Sequence, residues 1–294
     1  MAEKKWEGKT YGNGWMHKWL IRMLKVVDVR ILYGFTSVFV IPFCVVFNKS
    51  GKVNYRFYRK GFGLSPWKAF WQTYRNHCEF GQVVIDRIAM YAGKHFEVDL
   101  EGFDHYLALS RGQDSFVQLS AHIGNYELAG YTLVAEDKPF NALVFGGEKA
   151  SIMAHRDTLF SNTHIKMIAV KADMSHLFEI DHALNEGETV SMPADRIWGS
   201  PKYVVHPFLG HSARFPLGPF SVATLRGSAV LAVNVMKTGA RRYKIHITPL
   251  DYDKRENRRE QIRQLSLNYV KELERIVRDY PTQWYNYYEF WEHE

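Results

Sequence analysis

The stretch FVQLSAHIGNYELAGYTLVA, residues 116–135, decides the fold. It begins with a short apolar run at 116–119, passes through a polar turn that contains His122, and ends in a segment of helical character at 126–135. This order is typical of a strand that leads into a helix. In open α/β sheets, ligands bind outside the carboxyl ends of the strands. His122 follows the end of the predicted strand, so it is expected to lie where a substrate would bind.

Strand and helix patterns alternate along the chain after this stretch. The strands are predicted at 140–145, 165–170 and 189–192, and the helices at 149–160 and 176–185. Two later strands, at 229–236 and 243–248, are joined by a tight basic loop. The alternation predicts an α/β fold, in which a mainly parallel mixed sheet is covered by helices on both faces.

The N-terminal 65 residues differ in character from the rest of the chain. Tryptophan and basic side chains mix at 6–25, a combination that suits a membrane interface. An uncharged run of seventeen residues follows at 31–47, at the short limit for crossing a bilayer. We therefore predict a membrane-associated helical segment at 1–65 and a single α/β domain at 66–294, which opens with a long amphipathic helix at 66–91.

Three interpretations of the run at 31–47 compete. A secretory signal peptide is disfavoured because the run starts late, lacks a small-residue cleavage site and precedes the basic residues Arg56, Arg59 and Lys60. A buried helical hairpin broken near Pro42 is a second possibility. We favour a membrane anchor, and because basic residues flank the run on both sides, a true span and an in-plane helix pair both stay open.

The amino-acid composition limits which classes of partner and which kinds of chemistry are expected. The 294 residues include 38 Lys and Arg against 31 Asp and Glu, a formal charge of +7, which suits nucleic acid, anionic lipid or an acidic protein partner. Zinc-finger spacing and RNP-like motifs are missing from the sequence, so nucleic acid is not an expected partner. The two cysteines, Cys44 and Cys78, favour a reducing compartment. The 13 histidines show no metal-ligand spacing, so neither a metal nor a cofactor is expected.

His122 and Glu127 are the candidate catalytic pair. On one regular helix a five-residue step would turn their side chains about 140° apart. With His122 in the loop and Glu127 in the first helical turn, Gly124 and Asn125 let the chain fold back, since glycine permits positive φ and asparagine is a good N-cap. The imidazole would then take a proton, the carboxylate would hold its tautomer, and N–H groups near Gly124 and Asn125 would stabilise an oxyanion. A buried structural histidine beside a helix-start glutamate is the alternative.

A second strand end carries two more candidates. The apolar run that ends at Met192 leads into Asp195 and Arg196, which therefore fall at the same edge of the sheet as His122. A solvated turn pair is the alternative interpretation of these two charges.

Four stretches occur in a fixed order: SAHIGNYE at 120–127, EGETV at 186–190 leading to PADR at 193–196, HPFLG at 206–210, and YPTQW at 280–284. Together they resemble the lipid A biosynthesis acyltransferases of the lauroyl- and myristoyl-transferring type, within the lysophospholipid acyltransferase superfamily. The first is similar to that family's His-x4-Asp/Glu box. The order and spacing agree with the family over about residues 67–284, and the resemblance implies a glycerolphosphate-acyltransferase-like fold.

The resemblance also implies an activity. A fatty acyl chain would move from acyl carrier protein, or from acyl-coenzyme A, to a hydroxyl or amine of a lipid such as a lipid A precursor, at the cytoplasmic face of the inner membrane. His122 would be the base, Glu127 its partner, and Asp195 would fall at the family's second acidic position and help to shape the acceptor pocket. The residues expected to bind substrate are Gly124, Asn125, Arg156, Asp195 and Arg196.

Two departures from the family bear on the acceptor. Family members often carry arginine after the strand that here ends in FGG at 145–147, and again late in the following helix, where this chain has Ser161 and Asn162, with Arg156 the nearest substitute. The usual basic ending after Gln-Trp is replaced by YNYYEFW at 285–291. The lost cations indicate different phosphate or sugar contacts.

Direct attack of the acceptor on the acyl thioester is expected, without a covalent acyl-enzyme. The sequence contains no Gly-x-Ser-x-Gly elbow, and neither cysteine lies in a catalytic setting. Two other classes stay open. A thioester or lipid hydrolase would use the same pair to activate water, and a non-catalytic membrane adaptor would use only the basic face.

Overall fold

A seven-stranded sheet with helices on both faces forms the centre of the protein, as a computed structural model shows for residues 14–133, 138–145, 165–171, 173–197 and 202–291. The strands are β1 (Glu97–Glu101), β2 (Phe116–Ser120), β3 (Phe140–Phe145), β4 (Ile165–Val170), β5 (Thr189–Pro193), β6 (Tyr203–Phe208), β7 (His211–Pro216), β8 (Ala229–Gly239) and β9 (Arg242–Pro249). The helices are α1 (Gly14–Val26), α2 (Val29–Phe35), α3 (Ile41–Phe47), α4 (Lys49–Gly61), α5 (Pro66–Tyr91), α6 (Phe103–Ser110), α7 (Tyr126–Thr132), α8 (His176–Asn185), α9 (Leu217–Leu225) and α10 (Arg258–Asp279).

The strand order in the main sheet is β1-β9-β8-β2-β5-β3-β4. Strands β8, β2, β5, β3 and β4 run parallel, while β9 is antiparallel to β8 and β1 is parallel to β9. The predicted α/β class with a mainly parallel mixed sheet is therefore confirmed. β2 lies at the centre, between β8 and β5, and its residues 116–119, the polar Gln118 included, are buried, as expected for a central strand with helices on both faces of the sheet.

Alternate residues of the central strands build two cores. Val117 and Leu119 face the side covered by α8, α9 and α10. Phe116, together with Val235 on β8, faces the other side, where α6 and α7 pack. The two-residue period of a strand thus divides the apolar side chains between the faces of the sheet.

The predicted apolar run is helical and exposed. Residues Val29–Phe47 form one continuous helical stretch, in which a π-helical turn at Thr36–Val40 precedes Pro42. A wider turn of this kind accommodates a proline, which cannot donate a backbone hydrogen bond. Only 17% of the apolar window is buried, against α5, so the alternative of a buried core hairpin is wrong. Among the described residues this is the one helix long and apolar enough to cross a membrane, and those two properties alone do not distinguish a span from an in-plane helix.

Several element boundaries differ from the prediction. The sequence FPLGP at 215–219 predicts the start of a helix that runs to Leu225, but residues 211–216 form a strand that makes a separate hairpin with β6, and α9 begins only at Leu217. The hairpin turns at Leu209 and Gly210, both at positive φ. α7 ends at Thr132, and the helix predicted at 149–160 lies outside the described residues. The division into segments 1–65 and 66–294 stays a prediction, although Phe57 of α4 packs into the same core as the sheet.

Candidate active site

The loop that carries His122 is held tightly at the carboxyl edge of the sheet. Gly124 lies at a φ of +52°, and a Cβ atom there would come within 1.8 Å of the Val235 carbonyl oxygen. The Gly124 N–H donates to the Gln283 carbonyl (2.8 Å), and the Asn125 N–H donates to the Val235 carbonyl (2.9 Å). Glycine is therefore required at position 124 by both conformation and space.

These contacts correct two predictions about the loop. The N–H groups of Gly124 and Asn125 already donate to carbonyl oxygens, so in this structure they do not serve as oxyanion donors. Asn125 does stand at the start of α7, but its side chain is fully buried and does not cap the helix. In this conformation the Asn125 side chain is not accessible to a substrate, and its backbone N–H ties the loop to β8.

Asp195 lies beside His122 because of strand register. β2 and β5 pair in parallel, with Ser120 opposite Pro193, so the residues two positions further on also face each other. His122 Nδ1 lies 2.8 Å from Asp195 Oδ1, and the backbone N–H of His122 donates to Asp195 Oδ2 at 3.0 Å. Two neighbouring strands thus deliver a histidine and a carboxylate to one point at the sheet edge.

The environment of Asp195 keeps its side chain ionised. Burial of this fully buried carboxyl group by itself raises its pKa, but the charge and hydrogen bonds of His122, with the charge of Arg196, outweigh that effect. The pKa of Asp195 therefore lies well below its usual range. An ionised carboxylate can only accept a hydrogen bond, so the contact assigns the proton of a neutral imidazole to Nδ1 and leaves Nε2 as an acceptor. The His122 side chain is 30% exposed, so that a substrate can reach it.

Glu127 points towards α5 in this structure. Its carboxylate lies 3.2 Å from Arg87 Nη1 and accepts from the Tyr91 hydroxyl at 3.3 Å. The Arg87 guanidinium lies over the Tyr126 ring, which in turn meets the His122 ring edge-on at 5.9 Å. The prediction that Glu127 holds His122 Nδ1 is therefore wrong, because the carboxylate at Nδ1 is that of Asp195. The first turn of α7 directs Glu127 away from the loop and towards α5.

Of the other predicted site residues, Asp195 and Arg196 lie in the part of the chain that the structure describes, and Arg156 does not. Arg196 lies next to Asp195 and donates through Nη2 to the Tyr285 carbonyl at 2.6 Å. The acceptor-pocket role expected for Asp195 does not fit a fully buried carboxylate that is already bonded to His122. Arg156 and the glycines at 146 and 147 lie outside the described residues. In the described part of the chain, no three His, Cys, Asp or Glu side chains are grouped as metal ligands.

Sequence reasoning missed three residues near the site. Trp284 donates through Nε1 to Asp195 Oδ2 at 3.2 Å, although the stretch 280–284 had been singled out as a motif. Arg87 and Tyr91 are four residues apart on α5, a spacing that places both on one helix face and that could have indicated a shared partner.

The profile of a family described as bacterial lipid A biosynthesis acyltransferase matches residues 72–292, about three quarters of the chain. Among solved structures, the chain is similar to the 1-acyl-sn-glycerophosphate (LPA) acyltransferase PlsC from Thermotoga maritima, at 17% sequence identity and a TM-score of 0.38. That match covers 92% of this chain and 99% of the other. No curated protein matches the sequence significantly.

Proposed function

The chain belongs to the bacterial lipid A biosynthesis acyltransferase family, and from this premise we propose which groups react and which residue acts as the base. The protein is an acyltransferase that acts on lipid. In our proposal a fatty acyl chain leaves an acyl thioester, carried by acyl carrier protein or by coenzyme A, and joins a hydroxyl or amine of a lipid acceptor such as a lipid A precursor.

The observation that carries the proposal is the His122–Asp195 pair. A partly exposed imidazole is held at Nδ1 by a fully buried, ionised carboxylate at the edge of the sheet where ligands bind. This arrangement leaves Nε2 free to act as a general base and stabilises the imidazolium that results from proton transfer.

The proposed step needs no group beyond the two substrates and the base. Nε2 of His122 takes the proton of the acceptor hydroxyl or amine as its oxygen or nitrogen bonds to the thioester carbonyl carbon. When the carbon–sulfur bond breaks, Nε2 gives that proton to the leaving thiolate. Transfer is direct, and no acyl-enzyme forms.

Glu127 and Arg196 keep supporting roles in the proposal. Glu127 holds Arg87 against the Tyr126 ring, and that ring limits the position of the His122 imidazole. Arg196 brings a positive charge to the rim of the site, where a phosphate or carbonyl oxygen of a substrate can meet it. Arg156 stays a predicted substrate contact.

We place the enzyme on the cytoplasmic face of the inner membrane. Two features support the membrane contact that this proposal needs. The exposed apolar side chains of the N-terminal helices continue onto the start of α5; they include Phe35, Phe39, Phe43, Phe47, Trp67, Phe70 and Trp71. Residues 29–78 also contain eight Lys or Arg and no Asp or Glu, which suits anionic lipid headgroups beside an apolar surface. A basic surface suits acidic acyl carrier protein equally well.

Acyl transfer by the purified full-length protein tests the proposal. The protein in vesicles is given an acyl carrier protein thioester or an acyl-coenzyme A and a lipid A precursor, and the products are measured by mass spectrometry. We expect His122→Ala to lower the rate of transfer by about 10²- to 10⁴-fold, the usual contribution of a general base. His105→Ala, an exposed histidine on α6, is the matched control and should transfer at the rate of the unaltered protein.

Two results would overturn the proposal. One is a His122→Ala rate equal to that of the control variant. The other is release of free fatty acid at the rate of transfer when the acceptor is left out, which would identify a hydrolase that uses the same histidine.

A further inference from the structure

Residues 281–288, which follow α10, contact both the His122 loop and Asp195. We call this segment the C-terminal strap. Its backbone brackets the His122 loop. The Gln283 carbonyl accepts from Gly124 N–H, Ile123 and Trp284 form an antiparallel bridge, and the Tyr285 N–H donates to the His122 carbonyl at 3.1 Å. The strap therefore fixes the position of the His122 backbone relative to the sheet.

The side chain of Trp284 reaches the other half of the site. Its Nε1–H donates to Asp195 Oδ2 at 3.2 Å, and the indole is only 1% exposed. Three aromatic rings surround it with centroids 4.9–5.2 Å away, those of Phe57, Phe208 and Phe290. An indole packed on all sides cannot turn, so its N–H has a fixed direction.

The two oxygens of Asp195 have different partners. Oδ2 accepts from the His122 backbone N–H and from the Trp284 indole, while Oδ1 accepts from His122 Nδ1. With two donors aimed at Oδ2, the carboxylate plane is set and Oδ1 faces the imidazole. Without the indole, the Asp195 carboxylate could rotate about its Cβ–Cγ bond with the loss of one hydrogen bond fewer, and its plane would be less firmly set.

We infer that Trp284 is a positioning residue for acyl transfer, which acts through Asp195 to hold the His122 imidazole in its reactive orientation. The inference rests on the proposed function in that it assigns His122 as the base. It differs from a packing role, because it depends on the indole N–H and not on the bulk of the ring.

Trp291 provides a matched control within the same aromatic cluster. It stacks on Phe57 at 5.5 Å and meets Phe290 edge-on at 5.7 Å. Its buried Nε1 has no hydrogen-bond partner among the described residues. Trp284→Phe and Trp291→Phe therefore remove the same atoms from the same cluster, and only the first removes a bond to Asp195.

The test compares steady-state acyl transfer by the full-length protein and its two variants. We expect Trp284→Phe to lower kcat about ten-fold with KM unchanged within about two-fold, as the loss of one hydrogen bond to a charged group allows, and Trp291→Phe to stay within about two-fold of the unaltered protein in both. In an Asp195→Asn background, Trp284→Phe should have no further effect, since its path to His122 is already broken. Equal kcat values for the two Trp variants, or full additivity with Asp195→Asn, would overturn the inference.

A second measurement separates this inference from the proposed function. Proton NMR of histidine-labelled protein reports the Nδ1–H proton that His122 shares with Asp195, whether or not transfer occurs. We expect this resonance to move or vanish with Trp284→Phe and to stay with Trp291→Phe. If Trp284→Phe melts too low to be assayed, 3-benzothienylalanine at position 284 keeps the ring shape without the N–H and should give the same result. An unmoved resonance in that variant would overturn the inference, whereas a moved one in a protein without transfer activity would refute only the proposed function.

Discussion

Gly124→Ala is expected to disable the site while the sheet stays folded. The new Cβ would lie 1.8 Å from the Val235 carbonyl oxygen, where real Cβ contacts stay beyond 3.0 Å. Val235 is fully buried in β8, and hydrogen bonds to β2 on one side and β9 on the other hold this strand in place. The His122 loop must therefore move by at least about 1 Å, and a displacement of that size costs roughly 100-fold in rate.

Gly63→Ala is the control for backbone strain. Gly63 also has positive φ, +61°, but nothing lies within 4 Å of a Cβ added there. Both variants carry the left-handed strain of about 1–2 kcal/mol, so thermal unfolding should show a loss of about that size for Gly63→Ala and a larger one for Gly124→Ala. Transfer assays should show a loss of about 100-fold for Gly124→Ala alone. Equal activities of the two variants would show that the loop tolerates displacement and would refute the reasoning.

Three further expectations concern stability and membrane contact. Lys237→Met should cost about 3–5 kcal/mol in denaturant unfolding, because it leaves the buried Asp86 carboxylate without its cationic partner, and adding Asp86→Asn should restore part of that loss; additive losses would contradict this. Asn257→Ala should cost about 1 kcal/mol, since the Asn257 side chain caps α10 by accepting from the Glu260 N–H, and an unchanged melting temperature would argue against that cap. Phe43→Glu should weaken vesicle flotation by about ten-fold or more without a change in melting temperature, whereas Phe43→Leu should not; equal flotation of both variants would place this face away from lipid.

The sheet could be predicted from the sequence because alternation of apolar runs and helical segments is a local signal. The same signal placed a strand at 116–119, which the structure has as β2. The order of the strands could not be predicted, because β2 is flanked by β5 and β8, which come much later in the chain. Likewise, residues 215 and 216 resemble the start of a helix locally, but pairing with β6 makes them the end of a strand.

The candidate site was predicted only in part for the same reason. His122 and Asp195 could each be placed at a strand end, and the strand ends lie at one edge. Nearness in sequence favoured Glu127 as the partner of His122, but the carboxylate bound to Nδ1 comes from 73 residues away. The pairing of β2 with β5 decides that contact, and Arg87 and Tyr91, which engage Glu127, are on a helix 36–40 residues earlier.

The rate of acyl transfer by Asp195→Asn tests the central claim most directly. An asparagine cannot hold the imidazole with an ionised acceptor, so we expect kcat to fall about 10³-fold or more, and the His122→Ala/Asp195→Asn double variant to be no slower than the slower single variant, because the two residues act as a unit. Glu127→Gln, assayed beside it, should lose less. Near-normal transfer by Asp195→Asn, with transfer abolished in Glu127→Gln, would contradict the account and return the orienting role to Glu127.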